Sequence, residues 1–321
     1  MVYSYKVFGQ FITSNVELPQ ISPIDNDSPN FISVCFKRDI FFDHVKFNNS
    51  QKIFIIPQQN LGIPAFEIIK VEGSKIINYI LHYCYNKQEA YFTIDNTLNN
   101  IDIYWSDTVK FDELLPILFG SVMGCLLRLK NIFSLHGSTV AKDDEAITII
   151  GNSGSGKSTL TAYLLSKGFS LVSDDLTVFA SKRSPSVFTG FPCIRMNSDT
   201  KDFCSNQYRS FYWRSKGNKV DKNYYEASDF YYNNQIVVQA FYFLDSFNNT
   251  NERTVITELK SSQKILILLQ NSYANYILSA EQKKSEFQFV KDLLPIPLYS
   301  IVQPKSFECL EHTYTQILAN Q

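Results

Sequence analysis

The sequence predicts a protein of mixed α+β and α/β class, with a β-rich region at 1–107 and a second domain at 108–321. Two observations support this division. Before residue 107, apolar and polar positions alternate between turn signals, which is typical of strands. After residue 111, apolar positions recur every three or four residues, and a later strand, glycine-rich loop and helix follow one another. The second domain is therefore expected to combine strands with helices.

The composition indicates a well-packed globular chain. Of its 321 residues, 45% are hydrophobic and 19% are charged, which is enough apolar surface for a sizeable core. The formal net charge is −1, and no long run of Lys or Arg is present. Because non-specific nucleic-acid binding depends on a basic surface, we expect no nucleic-acid partner.

The cysteines and the N-terminus predict a cytoplasmic protein. None of the six cysteines forms a C-x-x-C pair, and none has a His at metal-ligand spacing, so free thiols in a reducing compartment are expected. The first residues are neither cationic nor continuously apolar, so no signal peptide is predicted. No apolar run approaches the roughly 18 residues that a spanning helix needs. We expect no membrane partner.

The N-terminal region carries no recognisable chemistry. Strands are predicted at 3–8, 31–36, 52–56, 65–71, 75–85, 89–94 and 101–105. His44 and His82 stand alone, and no paired carboxylates lie near either of them. The region is interpreted as a scaffold, or as a sheet on which an acceptor docks.

The second domain opens with a long amphipathic helix at 111–130. A strand is predicted at 133–141 with His136 in it or at its edge, and a tight polar turn at 142–145 leads into a buried strand at 146–150. Further strands are predicted at 169–173, 193–196, 236–244, 254–259 and 298–302, and helices at 262–269, 282–294 and 306–318. The polar and aromatic segment 198–232 is interpreted as mobile or as a cover over the substrate.

The strongest motif is Gly151-Asn152-Ser153-Gly154-Ser155-Gly156-Lys157-Ser158, which fits the phosphate-binding pattern G-x-x-x-x-G-K-[ST]. A predicted strand precedes it, and a predicted helix beginning at Thr159 follows it. The glycines permit backbone conformations in which successive N–H groups point at an anion, and the helix N-terminus adds its positive dipole end. Lys157 is expected at the β- and γ-phosphates, and the Ser158 hydroxyl at Mg²⁺. These residues predict binding of ATP or another nucleoside triphosphate, with Mg²⁺.

Two adjacent carboxylates, Asp174 and Asp175, end the strand at 169–173, which is predicted to neighbour the strand of the phosphate loop. Carboxylates in this position suit metal binding and the orientation of a nucleophile. We expect Asp174 to help Ser158 hold the metal and Asp175 to act as a base. His136 precedes the loop by one hairpin and is expected beside it. Arg195 faces the phosphates or is a surface charge.

His136-Gly137, the phosphate loop and Asp174-Asp175 together resemble the catalytic domain of HPr kinase/phosphorylase. The wider chain is similar to HPr-kinase-like proteins that accompany peptide-modifying systems, including those of lasso-peptide clusters. The similarity rests on Tyr5-Lys6-Val7-Phe8-Gly9, on Leu135-His136-Gly137-Ser138 and on Gly190-Phe191-Pro192 before Arg195. The HPr-specific signature is not evident after the aspartates, where residues 191–199 stand in its place.

The resemblance implies a central mixed sheet with flanking helices in the second domain. It implies phosphoryl transfer from a nucleoside triphosphate to a hydroxyl, with a serine of a peptide or protein as the acceptor. It also implies a hydrogen bond from His136 to an aspartate or to the γ-phosphate, and a homo-oligomer as one option. Three alternatives remain open: a kinase for a small molecule such as an amino acid, sugar or nucleoside; an ATPase or nucleotide switch without an acceptor; and a module that binds nucleotide without catalysis.

Overall fold

The computed structural model describes residues 1–25, 30–37, 50–57, 64–71, 77–85, 88–181, 184–204, 210–215, 222–245 and 253–320. The chain divides into two compact units, Met1–Lys130 with Ala274–Leu278, and Asn131–Tyr273 with Ser279–Gln321. The described residues contain both helices and strands, and the strands form mixed sheets. The fold class is therefore mixed α+β. The division differs from the one predicted at residue 107, because the helical segment from Phe111 to Leu129 belongs to the first unit.

The first unit contains an eight-stranded mixed sheet. Its strands are β1 (Tyr3–Val7), β2 (Gln10–Ser14), β3 (Ile32–Lys37), β4 (Ser50–Pro57), β5 (Pro64–Val71), β6 (Ile77–Tyr85), β7 (Gln88–Asp95) and β8 (Asn100–Trp105). The spatial order is β1-β2-β3-β8-β7-β6-β5-β4. The seven strands predicted from the sequence are confirmed. β2 was not predicted; it forms because Phe8 and Gly9 adopt positive φ angles of 52° and 70° and reverse the chain within two residues.

One interrupted helix packs against this sheet. It consists of α1 (Phe111–Ile117), a π-helical turn at Leu118–Val122 and α2 (Met123–Leu129). The predicted helix at 111–130 is thus confirmed, with an irregular middle that follows Pro116, which has no N–H to donate. Tyr83 and Ser121 join sheet and helix through a 2.8 Å hydrogen bond between their hydroxyls. The apolar side of the helix is therefore used within the first unit.

The second unit has a nine-stranded sheet and a separate three-stranded one. Its strands are β9 (Ser134–Leu135), β10 (Gly137–Lys142), β11 (Glu145–Gly151), β12 (Ser170–Ser173), β13 (Thr177–Ser181), β14 (Ser184–Phe188), β15 (Cys193–Asn197), β16 (Ser210–Ser215), β17 (Lys222–Glu226), β18 (Ile236–Leu244), β19 (Val255–Glu258) and β20 (Leu298–Val302). Its helices are α3 (Lys157–Ser166), α4 (Ser198–Phe203), α5 (Ser261–Gln270), α6 (Ala280–Asp292) and α7 (Cys309–Ala319).

The large sheet brings several strand ends to one edge. β11, β18 and β20 are parallel neighbours, so their carboxyl ends lie together. β10 is antiparallel to both β11 and β12, so β10 begins at this edge and β12 ends there. The prediction that the strand before Asp174 neighbours the phosphate-loop strand is wrong, because β10 lies between β12 and β11. The carboxylates nevertheless reach the same edge as the loop.

Helices cover both faces of this sheet because its central strands are apolar on both sides. Ile147 and Ile149 of β11 pack in one core with α3 and α7. Ala146 and Ile150 of the same strand pack in a second core with α5 and α6. Such burial on both faces is typical of strands enclosed between helix layers. The expected central mixed sheet with flanking helices is confirmed.

The segment 198–232 contains more regular structure than the sequence analysis expects. Its described residues include α4, β16 and β17, and β15, β17 and β16 form an antiparallel sheet. Asn197 begins α4 as its N-cap, since its side-chain oxygen accepts a 2.9 Å hydrogen bond from the Thr200 N–H. Asp199 and Thr200 of α4 line the cavity described below, and the interpretation of the segment as mobile or as a cover over the substrate stays a prediction.

Candidate functional site

The glycine-rich loop connects the end of β11 to the first turn of α3, as predicted. Gly151 has a φ of 149°, and a Cβ atom placed there would lie 2.6 Å from the Leu244 carbonyl oxygen. Gly154 and Gly156 have φ angles of 85° and 99°, in the left-handed region that favours glycine. The backbone of the loop therefore depends on these three glycines for its course.

Lys157 and Ser155 give the loop the properties of an anion site. Lys157 is 9% exposed, and its ammonium donates hydrogen bonds to the Gly151 carbonyl at 2.6 Å and the Asn152 carbonyl at 3.2 Å. The Ser155 hydroxyl is buried and has no hydrogen-bond partner in the described part of the chain. A buried polar group without a partner is costly, and a phosphate oxygen supplies one. Together with the N-terminus of α3, these groups fit a polyphosphate.

Asp174 is held by two donors at the end of β12. The Ser138 hydroxyl of β10 donates to one carboxylate oxygen. The Arg195 backbone N–H donates to the other at 2.8 Å. Asp174 is thus fixed between β10 and β15 and faces the same cavity as Ser158. Carboxylate and hydroxyl oxygens are the ligands that Mg²⁺ prefers, so Asp174 and Ser158 fit the predicted metal.

Asp175 lies in a sharp turn directly after Asp174. Its φ is 66°, an uncommon value for a residue with a side chain, and the Leu176 N–H donates to the Asp174 carbonyl at 2.8 Å. This turn brings the Asp175 side chain, 28% exposed, to the cavity wall. A strained backbone conformation at a cavity is a frequent property of functional residues.

His136 lies in the break between β9 and β10 and pairs with Asp175. Its Nδ1 atom is 3.2 Å from the Asp175 carbonyl oxygen and 3.4 Å from a carboxylate oxygen of the same residue. Burial lowers the pKa of the imidazole below its ordinary value; Asp175 opposes this change, and the charge of Lys157 adds to it. The expected position of His136 beside the loop and an aspartate is confirmed.

A network of buried threonine hydroxyls connects the strands next to this arrangement. Thr139 Oγ1 lies 2.9 Å from the hydroxyls of both Thr148 and Thr177. The Thr177 hydroxyl also donates to the Gly137 carbonyl at 3.2 Å. The network joins β10, β11 and the residues that follow Asp175. Alternating strand patterns do not distinguish buried threonines from apolar residues, so the sequence analysis missed it.

Asn271, the C-cap residue directly after α5, was also missed. Its side-chain oxygen accepts the Gly151 N–H at 3.1 Å, and its backbone carbonyl accepts the His136 N–H at 2.7 Å. Its amide NH₂ donates to the Ile267 carbonyl at 2.9 Å. Asn271 therefore fixes the start of the loop and His136 relative to each other. Nothing in the local sequence marks it.

Most of the predicted site residues line one cavity of about 400 Å³. Those that line it are His136, Ser153, Gly154, Gly156, Lys157, Ser158, Thr159, Asp174, Asp175 and Arg195. Gly151, Asn152 and Ser155 shape the loop without lining the cavity. The Arg195 guanidinium lies over the Tyr224 ring, 5.8 Å from its centre. Arg195 also lines the cavity and brings a positive charge to it. Gln303, Lys305, Phe307 and Leu310 also line the cavity and were not predicted.

The first unit contains a polar cluster of a different kind. His82 is not alone: its Nδ1 atom lies 3.2 Å from a Glu67 carboxylate oxygen. His82, Cys84 and Glu89 each place one ligand-type atom within 4.8 Å of the others. The prediction that no cysteine has a His at metal-ligand spacing is thus wrong for Cys84, because β6 carries both residues on one face. His44 lies outside the described residues.

Among the described residues, no helix is long and apolar enough to cross a membrane. All six cysteines are free thiols, as predicted.

Comparison with known proteins gives little beyond this geometry. No protein-family model matches the sequence, and no curated protein matches it. Among solved structures, the chain is similar to the HPr(Ser) kinase/phosphatase from Coxiella burnetii, with a TM-score of 0.29 and 14% sequence identity. The match covers 58% of this chain and 95% of that one. Because this likeness is weak, the function proposed below rests on the residues of the site.

Proposed function

We propose that the second unit is a Mg²⁺-dependent kinase, which transfers the γ-phosphate of ATP or another nucleoside triphosphate to a hydroxyl group. One observation carries this proposal: the glycine-rich loop, the two aspartates and His136 line the same cavity although they are next to the ends of different strands. A loop alone is consistent with nucleotide binding. Carboxylates opposite the loop add groups that can hold a metal and receive a proton.

The loop and its lysine would bind the donor. The N–H groups at the start of α3 would receive phosphate oxygens, and Lys157 would exchange its bonds to the loop carbonyls for bonds to the β- and γ-phosphates. Mg²⁺, held by Ser158 and Asp174, would neutralise charge that spreads over the transferred group. Ser138 and the Arg195 N–H keep Asp174 in place for this role.

Asp175 would orient the acceptor and accept its proton. The acceptor oxygen bonds to the γ-phosphorus as the bond from that phosphorus to the β–γ bridging oxygen breaks, and a nucleoside diphosphate leaves. The acceptor proton passes to the Asp175 carboxylate. His136 with its lowered pKa is neutral near pH 7, so it positions Asp175 without adding a charge. Arg195 would steady the negative charge of the transition state.

A serine of a peptide or protein is the proposed acceptor, on the basis of the resemblance carried by the His136, loop and Asp174-Asp175 motifs. The test is to incubate the purified protein with Mg²⁺ and ATP, first alone and then with serine-containing peptides and with free serine. Mass spectrometry then measures phosphate on each acceptor. Phosphate on a peptide supports the proposal. Phosphate only on a small molecule makes the protein a metabolite kinase, and brisk hydrolysis that no acceptor changes makes it an ATPase.

A further inference from the structure

The segment that follows β20 lies beside the glycine-rich loop for a topological reason. β11, β18 and β20 are parallel neighbours, and the loop follows β11. Gln303 follows the end of β20 at the same edge of the sheet. In open sheets of this kind, ligands bind outside the carboxyl ends of the strands. The residues after β20 are therefore placed to contact whatever the loop binds.

The cavity extends from the loop toward this segment through α4. The Thr159 hydroxyl, in the first turn of α3, lies 3.0 Å from the Thr200 hydroxyl of α4. Phe203 of the same helix stacks on Phe307, with ring centres 4.6 Å apart and planes 19° apart. Thr159, Thr200 and Phe307 all line the cavity. They form a continuous wall from the loop to the aromatic ring.

The two ends of the cavity differ in chemistry. One end has His136, Asp174 and Asp175, where the proposed function places the γ-phosphate. β15 leads away from this end, because Arg195 bonds to Asp174 and Asn197 begins α4. At the α4 end, Leu310 is buried and Phe307 is half-buried, so that end offers an apolar surface, with Asp199 and Lys305 as charged residues in the same lining. A triphosphate bound with its γ-phosphate at the aspartates directs its nucleoside toward Phe307.

Gln303 adds a hydrogen-bond donor at the apolar end. Its side chain is 5% exposed, and its amide oxygen accepts a 3.0 Å hydrogen bond from the Thr313 hydroxyl. With the oxygen engaged, the amide NH₂ is the group that remains to donate to a ligand. Ring nitrogens and carbonyl oxygens of nucleobases are suitable acceptors. A flat aromatic surface beside a fixed amide donor suits a purine.

We propose that Phe307 and Gln303 form a subsite for the purine base of the nucleotide, with the base stacking on the face of Phe307 opposite Phe203 and Gln303 donating to the edge of the base. This inference rests on the proposed function, because the loop must hold the triphosphate. It adds that the donor is a purine nucleotide and that a segment about 150 residues after the loop selects it. No local motif around Phe307 indicates such a role.

The test compares nucleotides with inorganic tripolyphosphate, which has the phosphates but no base. Affinities of Mg²⁺ complexes of ATP, GTP, CTP and tripolyphosphate are measured by calorimetry for the wild type, Phe307→Ala and Phe307→Tyr. We expect ATP and GTP to bind more tightly than CTP. Phe307→Ala weakens purine nucleotides by about tenfold, the usual loss for an aromatic stack, and leaves tripolyphosphate unchanged. Phe307→Tyr keeps the ring and the affinity.

Phe287→Ala is the matched control, since Phe287 is 46% exposed on α6 and does not line the cavity. Gln303→Met removes the donor and is expected to weaken purine nucleotides without weakening tripolyphosphate. A separate variant, Phe307→Trp, reports stacking directly: ATP quenches its added fluorescence and tripolyphosphate does not. This signal needs no truncation, so it remains informative if Phe307→Ala fails to fold.

The outcomes separate the two proposals. If tripolyphosphate and ATP bind equally well and Phe307→Ala changes neither, the base subsite is wrong while the phosphate site stands. Equal affinity for CTP and ATP overturns the purine assignment. If neither ATP nor tripolyphosphate binds to the wild type, the proposed function and the subsite both fail.

Discussion

Two histidine–carboxylate pairs, one in each unit, have similar distances and very different surroundings. His82 Nδ1 lies 3.2 Å from a Glu67 oxygen, and His136 Nδ1 lies 3.4 Å from an Asp175 oxygen. His82 stacks flat on Tyr91, with ring centres 4.2 Å apart, and its side chain is 11% exposed. The His136 side chain is 37% exposed and lines the cavity.

The backbone context explains the difference. His82 lies inside β6, directly opposite Glu67 of β5 and Tyr91 of β7, so regular strand pairing places its neighbours. His136 interrupts the strand pairing, and its partner Asp175 has a positive φ. The pair in the regular sheet is placed by strand register, and His82 Nε2 is buried without a hydrogen-bond partner among the described residues. The pair at two backbone irregularities lies beside a buried lysine and lines a cavity, which is the arrangement that the proposed function requires.

The largest effect expected from this comparison is on catalysis. Asp175→Asn removes the proposed base while preserving the size of the side chain. We expect it to lower the rate of phosphoryl transfer by about a hundredfold to ten-thousandfold, the usual contribution of a general base. Single-turnover measurements at saturating nucleotide would show this loss, with little change in the free energy of unfolding.

Glu67→Gln is the matched control for that experiment, because it makes the same chemical change in the pair of the first unit. It is expected to leave the transfer rate unchanged. Equal rates for wild type and Asp175→Asn, or equal losses for both variants, would remove the functional distinction between the two pairs.

The same Glu67→Gln change is expected to lower stability by about 1–3 kcal/mol at neutral pH, since Glu67 is 6% exposed and loses charged partners. Burial raises the pKa of Glu67, but the hydrogen bonds from Lys52 and His82 outweigh burial and hold that pKa below its ordinary value. Its contribution is therefore present above the unfolded-state pKa and is lost as pH falls through the folded-state pKa. Urea unfolding at a series of pH values should show wild type and variant converging in acid; a constant difference would contradict this.

The smallest expected effect is on the titration of His136 in protein free of metal and nucleotide. Asp175 raises the pKa of His136, so Asp175→Asn should lower it further. Lys157 lowers that pKa, so Lys157→Met should raise it. NMR titration of the imidazole measures both changes. Glu67→Gln is the reference variant and is expected to leave the pKa of His136 unchanged. Shifts in the same direction for the two variants would show that His136 does not lie between these charges.

The parts of the site that the sequence predicts are those that local patterns encode. The glycine loop, with its strand and helix, is contiguous, and Asp174-Asp175 end an apolar run that could only be a strand. The order of strands was not available from such patterns, so the intervening position of β10 was missed. Asn271, Gln303 and Phe307 reach the site through tertiary packing from distant positions, and none of them has a local signature. Glu67 and His82 likewise meet only through strand register.

The central claim is that the second unit holds a nucleotide through Lys157, and the most direct test is the affinity for Mg²⁺-ATP. Calorimetry on wild type, Lys157→Met and Lys284→Met compares the loop lysine with an exposed lysine of α6. We expect wild type and Lys284→Met to bind equally well and Lys157→Met to lose roughly thirtyfold or more in affinity, as when one partner of a buried charge interaction is removed. Undiminished binding by Lys157→Met would contradict it.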